Sequence, residues 1–330
     1  MIGGVSENGS DSAPVIVLAT CNGGQFLRQQ LDSLQAQTLT GWTLLARDDG
    51  SVDDTVSILQ EYADHDSRIR VLPSAPTPLA SAPQNFATLL QSALDSGAGM
   101  FFCCDQDDVW HRNKLELMRD RIRAEEGAGD VPVLLHHDLE VTNCELEPIA
   151  QSFWAMAHLV PGDERRPQRL LSRNEVTGCA MACNRALLEI ALPIPNEAIM
   201  HDWWLALCAA HFGKLRHLPD ALVRYRQHGA NAVGARSFRS GLNPATGWVG
   251  TWRRGNRELI ASVRQARAFE KRFGEKLELG DRAALTGYGE ILQQGRSRRL
   301  AALRASRAWR RQWLLDLTLV MRLLLIETLD

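Results

Sequence analysis

Apolar, β-branched-rich runs alternate with helix-periodic segments along the N-terminal third of this chain, and each apolar run but one ends in a polar cluster. Val15–Thr20 (VIVLAT) carries no charge and reads as a strand buried on both faces. After the turn CNGG, Phe26, Leu27, Leu31 and Leu34 fall at helical spacing, predicting a helix to about Gln37. Trp42–Ser51 is a second strand running into a polar turn. Val56, Ile58, Leu59 and Tyr62 then open a second helix, with Asp53 or Asp54 as its cap. Ile69–Leu72 is a third strand, Pro73 to Pro83 a loop, Asn85–Leu94 a helix, and Gly99–Asp108 a fourth strand ending in carboxylates. This order predicts an α/β fold with a parallel, helix-covered sheet. Ligands of such sheets bind beyond the carboxyl ends of the strands. Thr20–Gly24, Asp48–Ser51 and Asp105–Asp108 lie at those ends.

The rest of the chain is less regular. Val133–Val141 reads as a strand, and Val176–Asn184 as a small-residue loop or strand leading into a helix. A helix from about His201 should bury Trp204, Leu205 and Leu207, and beyond Gly241 the chain reads as all helix. With 330 residues, 45% hydrophobic and 23% charged, the composition excludes wholesale disorder. Seven cysteines without a CxxC pair argue against a disulfide framework or structural zinc, and Cys103 and Cys104 read as buried thiols. Residues 1–13 read as a frayed tail lacking the basic and apolar regions of a secretory signal, so a cytoplasmic setting is expected. Residues 236–330 carry 17 Arg and 2 Lys against 9 acids, a net +10, whereas the remainder is at −12. That contrast suggests two parts: 14–235, and a basic, helical 236–330. Seven arginines within 296–311 directly precede Trp313–Leu329, whose three charges make a bilayer span improbable. This arm either meets an anionic inner-membrane surface, or packs on the acidic part or on a second copy. It shows no nucleic-acid motif, so no nucleic-acid partner is expected.

Three carboxylates in Asp105-Gln106-Asp107-Asp108 repel one another unless a cation sits there, and hard cations such as Mg²⁺ or Mn²⁺ want such oxygens. The alternative is a solvated acidic loop capping a helix that begins near Trp110. Asp48-Asp49-Gly50-Ser51 can accept hydrogen bonds from a base or a ribose, or can simply be an Asp-Gly turn. Asp202 is a lone carboxylate at a helix start, flanked by His201, Trp203 and Trp204. Aromatic walls exclude water, stack on sugars and raise a carboxylate's proton affinity, which suits a general base; an ordinary N-cap is the alternative.

Together these clusters resemble a known family. ATCNGG (Ala19–Gly24), QLDS (Gln30–Ser33), RDDGS (Arg47–Ser51), NF (Asn85–Phe86) and CDQDDVW (Cys104–Trp110) are similar, in order, to the first half of family-2 inverting glycosyltransferases. SFW (Ser152–Trp154), TGC (Thr177–Cys179), HDWW (His201–Trp204) and YRQHGANAVG (Tyr225–Gly234) continue the series over about residues 14–235. The chain is most similar to the rhamnosyltransferase-like branch, which builds bacterial surface polysaccharides such as O-antigen. The resemblance implies a GT-A fold, a Rossmann-like, mostly parallel sheet with flanking helices, followed here by a C-terminal helical extension. It implies transfer of a sugar, with rhamnose the leading candidate, from a dTDP- or UDP-linked donor to a glycan or lipid-linked saccharide. It implies Mg²⁺ or Mn²⁺ on Asp107 of a D-x-D pair, with His228 as a further ligand or a structural loop residue. Thr20, Asp49 and Asp105 correspond to donor-nucleotide contacts. Thr177, Gly178, Trp203 and Trp204 would line the donor sugar and acceptor, and Asp202 would be the catalytic base. Two positions depart from the pattern: Cys21 stands where the family usually has a tyrosine beside the base, and His201 where many relatives have Glu. A non-catalytic glycan- or nucleotide-sugar-binding module is the competing reading. A sugar-nucleotidyltransferase is disfavoured, because CNGGQF has no basic residue to hold a triphosphate.

Overall fold

The computed structural model describes residues 12–74, 79, 81–127, 131–161, 167–228, 247–310 and 312–326. Most of the expected N-terminal tail, parts of the Pro-rich loop, Gly229–Gly234, Arg311 and the end of the last helix lie outside the described residues.

The first half alternates β1 (Val15–Thr20), α1 (Gly24–Gln35), β2 (Thr43–Asp48), α2 (Thr55–His65), β3 (Ile69–Val71), α3 (Ala82–Asp95) and β4 (Met100–Cys104). β3, β2, β1 and β4 lie side by side in that order, all parallel. Successive residues of a strand face opposite sides of the sheet. Val15, Val17, Phe101 and Cys103 accordingly enter one core, and Ile16, Leu18, Phe102 and Cys104 the other. All seven cysteines are free, and Cys103 and Cys104 are buried as expected.

The expectation of a helix beginning near Trp110 is corrected. Val109–Trp110 forms a short strand, β5, and α4 runs from Lys114 to Glu126. β6 (Val133–Thr142) follows, with β7 (Pro148–Ala150) paired to it and the single turn α5 (Phe153–Met156) after that. A short 3₁₀ turn, Gly178–Ala180, leads into β8 (Met181–Asn184), α6 (Arg185–Ala191) and α7 (His201–Phe212). β9 (Lys214–Arg226), which the sequence pattern does not announce, completes a sheet of order β3-β2-β1-β4-β8-β6-β9-β5. β8 runs antiparallel to both β4 and β6, whereas β9 is parallel to β6.

Among the described residues, four helices follow β9: α8 (Gly247–Phe273), α9 (Leu279–Gly289), α10 (Arg296–Ser306) and α11 (Trp313–Leu325). They pack on the α3/α6/α7 side of the sheet in a continuous apolar core. Phe269 and Phe273 of α8 meet Trp204, and Gln265 accepts the Ile199 N–H at 2.9 Å. Arg272 donates to the Ile190 and Ala191 carbonyls, satisfying the end of α6 where no further turn can.

Candidate active site

The three polar clusters meet at one edge of the sheet because parallel strands all point their carboxyl ends the same way. Asp48 serves that edge as a structural brace. It accepts from Thr20 Oγ1 (2.9 Å), the Gly50 and Ser51 amides (3.0 and 2.8 Å) and Ser51 Oγ (2.5 Å). Gly50 makes the turn at φ +87°, a conformation that a side chain resists. Thr20 therefore frames the loop through its hydroxyl. Asp49 is buried, accepts the Leu79 amide at 2.7 Å and lies 3.7 Å from Arg47. Arg47 donates to Asn85 Oδ1 at 2.8 Å, which joins the RDDGS and NF segments.

At the end of β4, Gln106 clamps the β1–α1 loop. Its side chain accepts the Cys21 amide at 2.8 Å and donates to the Cys21 carbonyl at 3.0 Å. Cys21 itself is exposed, with no ring at that position. Asp107 and His228 come together across the sheet: Oδ2 and Nε2 are 2.7 Å apart, and both side chains are partly open. Arg226 organises this corner. Its Nε donates to the Asp107 carbonyl (2.7 Å), its amide to Asp108 Oδ1 (3.1 Å), and its guanidinium lies over Phe26.

Beneath these groups, oxygens of Asp105 and Asp108 and the sulfur of Cys179 lie within 4.8 Å of one another. Asp108 is fully buried, and its Oδ2 has no partner. Burial, then the neighbouring carboxylates, pushes the Asp105 carboxyl up to about 7 and that of Asp108 well above its ordinary value. Buried Lys114, 2.6 Å from the Cys179 carbonyl and over the Trp110 ring, supplies the compensating charge. Burial also keeps the Cys179 thiol protonated, so it offers a hard cation nothing. The partly open carboxylate–imidazole pair Asp107–His228, with Asp105 behind it, could hold a divalent cation such as Mg²⁺ or Mn²⁺ through its carboxylate oxygens. Asp108 Oδ1 accepts the Arg226 amide, while its other oxygen is left without a hydrogen-bond partner beside Asp105 and Cys179.

Asp202 stands in the first turn of α7, 6% exposed. Its Oδ1 accepts from Asn174 Nδ2 at 3.0 Å and from the Trp203 amide at 2.6 Å. Burial raises its carboxyl to about 7. Asp105 feels the charges of both Asp107 and Asp202, which brings the base candidate and the D-x-D pair into one electrostatic neighbourhood. Gly178 is required by close approach: a methyl there would stand 2.9 Å from His201 Nε2 and 3.6 Å from Asp202 Oδ2. Thr177 precedes it, half-buried, and its carbonyl closes the 3₁₀ turn with the Ala180 amide. His201 is buried, stacked on Phe86 with centroids 3.9 Å apart, and burial holds its imidazole down at about 3.

Trp203 and Trp204 require a correction. Both point into the core, their indole N–H groups donating to the Leu170 and Ala191 carbonyls at 2.6 and 2.9 Å. They hold α7 in place and present no face on which a sugar could stack. The sequence pattern assigns no role to Asn174 or Lys114, and Gln106 and Arg226 appear in it only as members of motifs, without a role.

The sequence profile of glycosyl transferase family 2 matches residues 15–190. This chain belongs to that family. Among curated relatives, it is 30% identical over 239 residues to the dTDP-rhamnosyl transferase RfbG of Shigella flexneri, covering 66% of this chain and 74% of RfbG. It is 32% identical over 181 residues to the UDP-Glc:alpha-D-GlcNAc-diphosphoundecaprenol beta-1,3-glucosyltransferase WfgD of Escherichia coli, covering 54% and 61%. The chain spans 61–74% of the length of the curated relatives it matches. The S. aureus TarS fragment solved with UDP-GlcNAc has a similar fold, with a TM-score of 0.52 at 13% identity over 91% of this chain and 92% of that one. The family-2 chain thus has the expected α/β GT-A fold, with helices at its C-terminal end.

Proposed function

We propose that this family-2 chain is an inverting glycosyltransferase, moving a sugar from a nucleoside-diphosphate donor to a hydroxyl of a glycan or lipid-linked saccharide. One observation carries the reading: Asp202, a buried carboxylate with raised proton affinity, shares the neighbourhood of Asp105 with the accessible Asp107–His228 pair. Asp49 and Asp105 would take the base and ribose, with the β1–α1 loop held by Thr20 and Gln106. Asp107 and His228 would hold Mg²⁺ or Mn²⁺, whose charge supports the departing diphosphate. Thr177 and Gly178 would lie beside the donor sugar, with Gly178 letting His201 and Asp202 approach the loop closely. An acceptor hydroxyl then loses its proton to the Asp202 carboxylate, and its oxygen attacks the anomeric carbon. The bond to the diphosphate breaks on the opposite face, so a single displacement inverts the configuration.

RfbG and WfgD, by their names, use dTDP-rhamnose and UDP-glucose, which supports a dTDP- or UDP-linked donor, with dTDP-rhamnose preferred. A lipid-linked acceptor and the C-terminal arginines support a cytoplasmic enzyme working at the inner face of the membrane. Thermal-shift screening of nucleotide sugars with Mn²⁺ or Mg²⁺, followed by release of nucleoside diphosphate on adding acceptor, tests the reading. Donor binding without acceptor-dependent release would make the chain a binding module. Binding of no nucleotide sugar would reject both.

A further inference from the structure

We infer that α11 is a membrane-surface helix that seats its outer face in anionic lipid. α11 has two apolar faces. Leu319 and Leu323 enter the core, with Ile326 just beyond, and Arg322 turns inward to donate to Trp252 O (2.6 Å) and Asn256 Oδ1 (2.9 Å). On the other side Trp313, Leu314, Leu317, Met321 and Leu325 are 44–75% exposed. At about 100° per residue these five span an arc of about 120° centred opposite Leu319, and the only other residue within it, Leu324, is apolar too. A contiguous exposed apolar stripe of this kind marks an interaction surface.

The charge of the same segment selects the occupant. Residues 291–326 carry eight arginines and one aspartate. Arg296, Arg298, Arg304 and Arg307 are exposed, whereas Asp316 is bound to the Arg310 amide at 2.7 Å. Arg299 does not face outward: it is fully buried and donates to the Leu323 and Ile326 carbonyls, each at 2.7 Å, tying α11 to α10. A second copy docked through the same face would set two strongly cationic segments against each other. An anionic bilayer neutralises the arginines while accepting the leucines, methionine and tryptophan. Among the described residues no helix is long and apolar enough to cross a membrane, and α11 has 13 residues, so it would lie in the interface plane.

Flotation of the full chain with phosphatidylcholine vesicles, with and without about one third phosphatidylglycerol, tests this. The chain should float with the anionic vesicles, and raised salt should weaken that binding. Leu317→Glu/Met321→Glu and Arg298→Glu/Arg304→Glu should each lower the bound fraction at least tenfold, with thermal unfolding unchanged because all four side chains are exposed. Failure of the wild type to float with anionic vesicles, or flotation of Leu317→Glu/Met321→Glu at wild-type level, would overturn the inference. So would sedimentation showing a dimer that Leu317→Glu/Met321→Glu dissociates. The vesicles contain neither donor nor acceptor, so a negative result leaves the proposed transfer reaction standing.

Discussion

Replacing Asp202 by Asn should cripple transfer and stabilise the fold at once. The carboxyl has an ordinary value of 3.8 and is raised to about 7 by burial. Between those values the folded protein binds a proton that the unfolded chain does not, so the ionised carboxylate subtracts from stability as pH rises. At pH 7 and above that penalty approaches about 4 kcal/mol. Asn keeps an oxygen to accept from Asn174 and the Trp203 amide but carries no charge. In a metal-free thermal melt, Asp202→Asn should gain little near pH 4, progressively more up to pH 7, and reach a plateau above it. For a chain of this size the plateau is a rise of up to about 6 °C. Turnover should fall about 10²–10⁴-fold, the usual contribution of a general base, while donor binding stays close to wild type. A variant melting below wild type at pH 8 would show that the carboxylate is a structural anchor. Near-normal turnover would remove it from the chemistry.

The acid limb of kcat/KM should follow the same group, with activity falling about tenfold per pH unit well below pH 7 and levelling above it; a limb centred near pH 4 would contradict the burial argument. Asp107→Asn or His228→Ala should abolish the extra thermal shift that Mn²⁺ gives with a nucleoside diphosphate, leaving the metal-free melting temperature within a few degrees; an undiminished Mn²⁺-dependent shift would place the cation elsewhere. Trp204→Ala should cost about 3–5 kcal/mol in denaturant unfolding through the cavity it leaves. Trp204→Phe, which keeps most of the packing, should retain the KM for acceptor; a large KM rise with little stability loss would restore a sugar-binding role to the indole.

What the sequence reveals here is what local periodicity controls. β1, β2 and β4 and the polar clusters at their ends are legible because apolar runs and polar turns are adjacent in the chain. α7 is legible as a helix, but its direction is not. Apolar residues lie all round it, so nothing local separates a tryptophan facing sugar from one facing Phe269. β9 has mixed polarity, because parts of it are covered only by distant elements such as the Glu125 end of α4, reached by Lys214 and Arg216. Asn174 and Arg226 act across 28 and 118 residues, respectively, and such links leave no spacing to read.

The clamp that Arg226 places on Asp107 and Asp108 also bears on how much of the chain the proposed site needs. The family profile stops at residue 190, yet the proposed proton acceptor sits in α7 and the guanidinium in β9. A fragment cut at the profile's edge would keep the acidic loop and lose both the group that orients it and the group that completes it. The acidic loop is therefore held in place by a residue more than a hundred positions downstream, seated beside Thr142 of β6, so the proposed site depends on the pairing of β9 with β6.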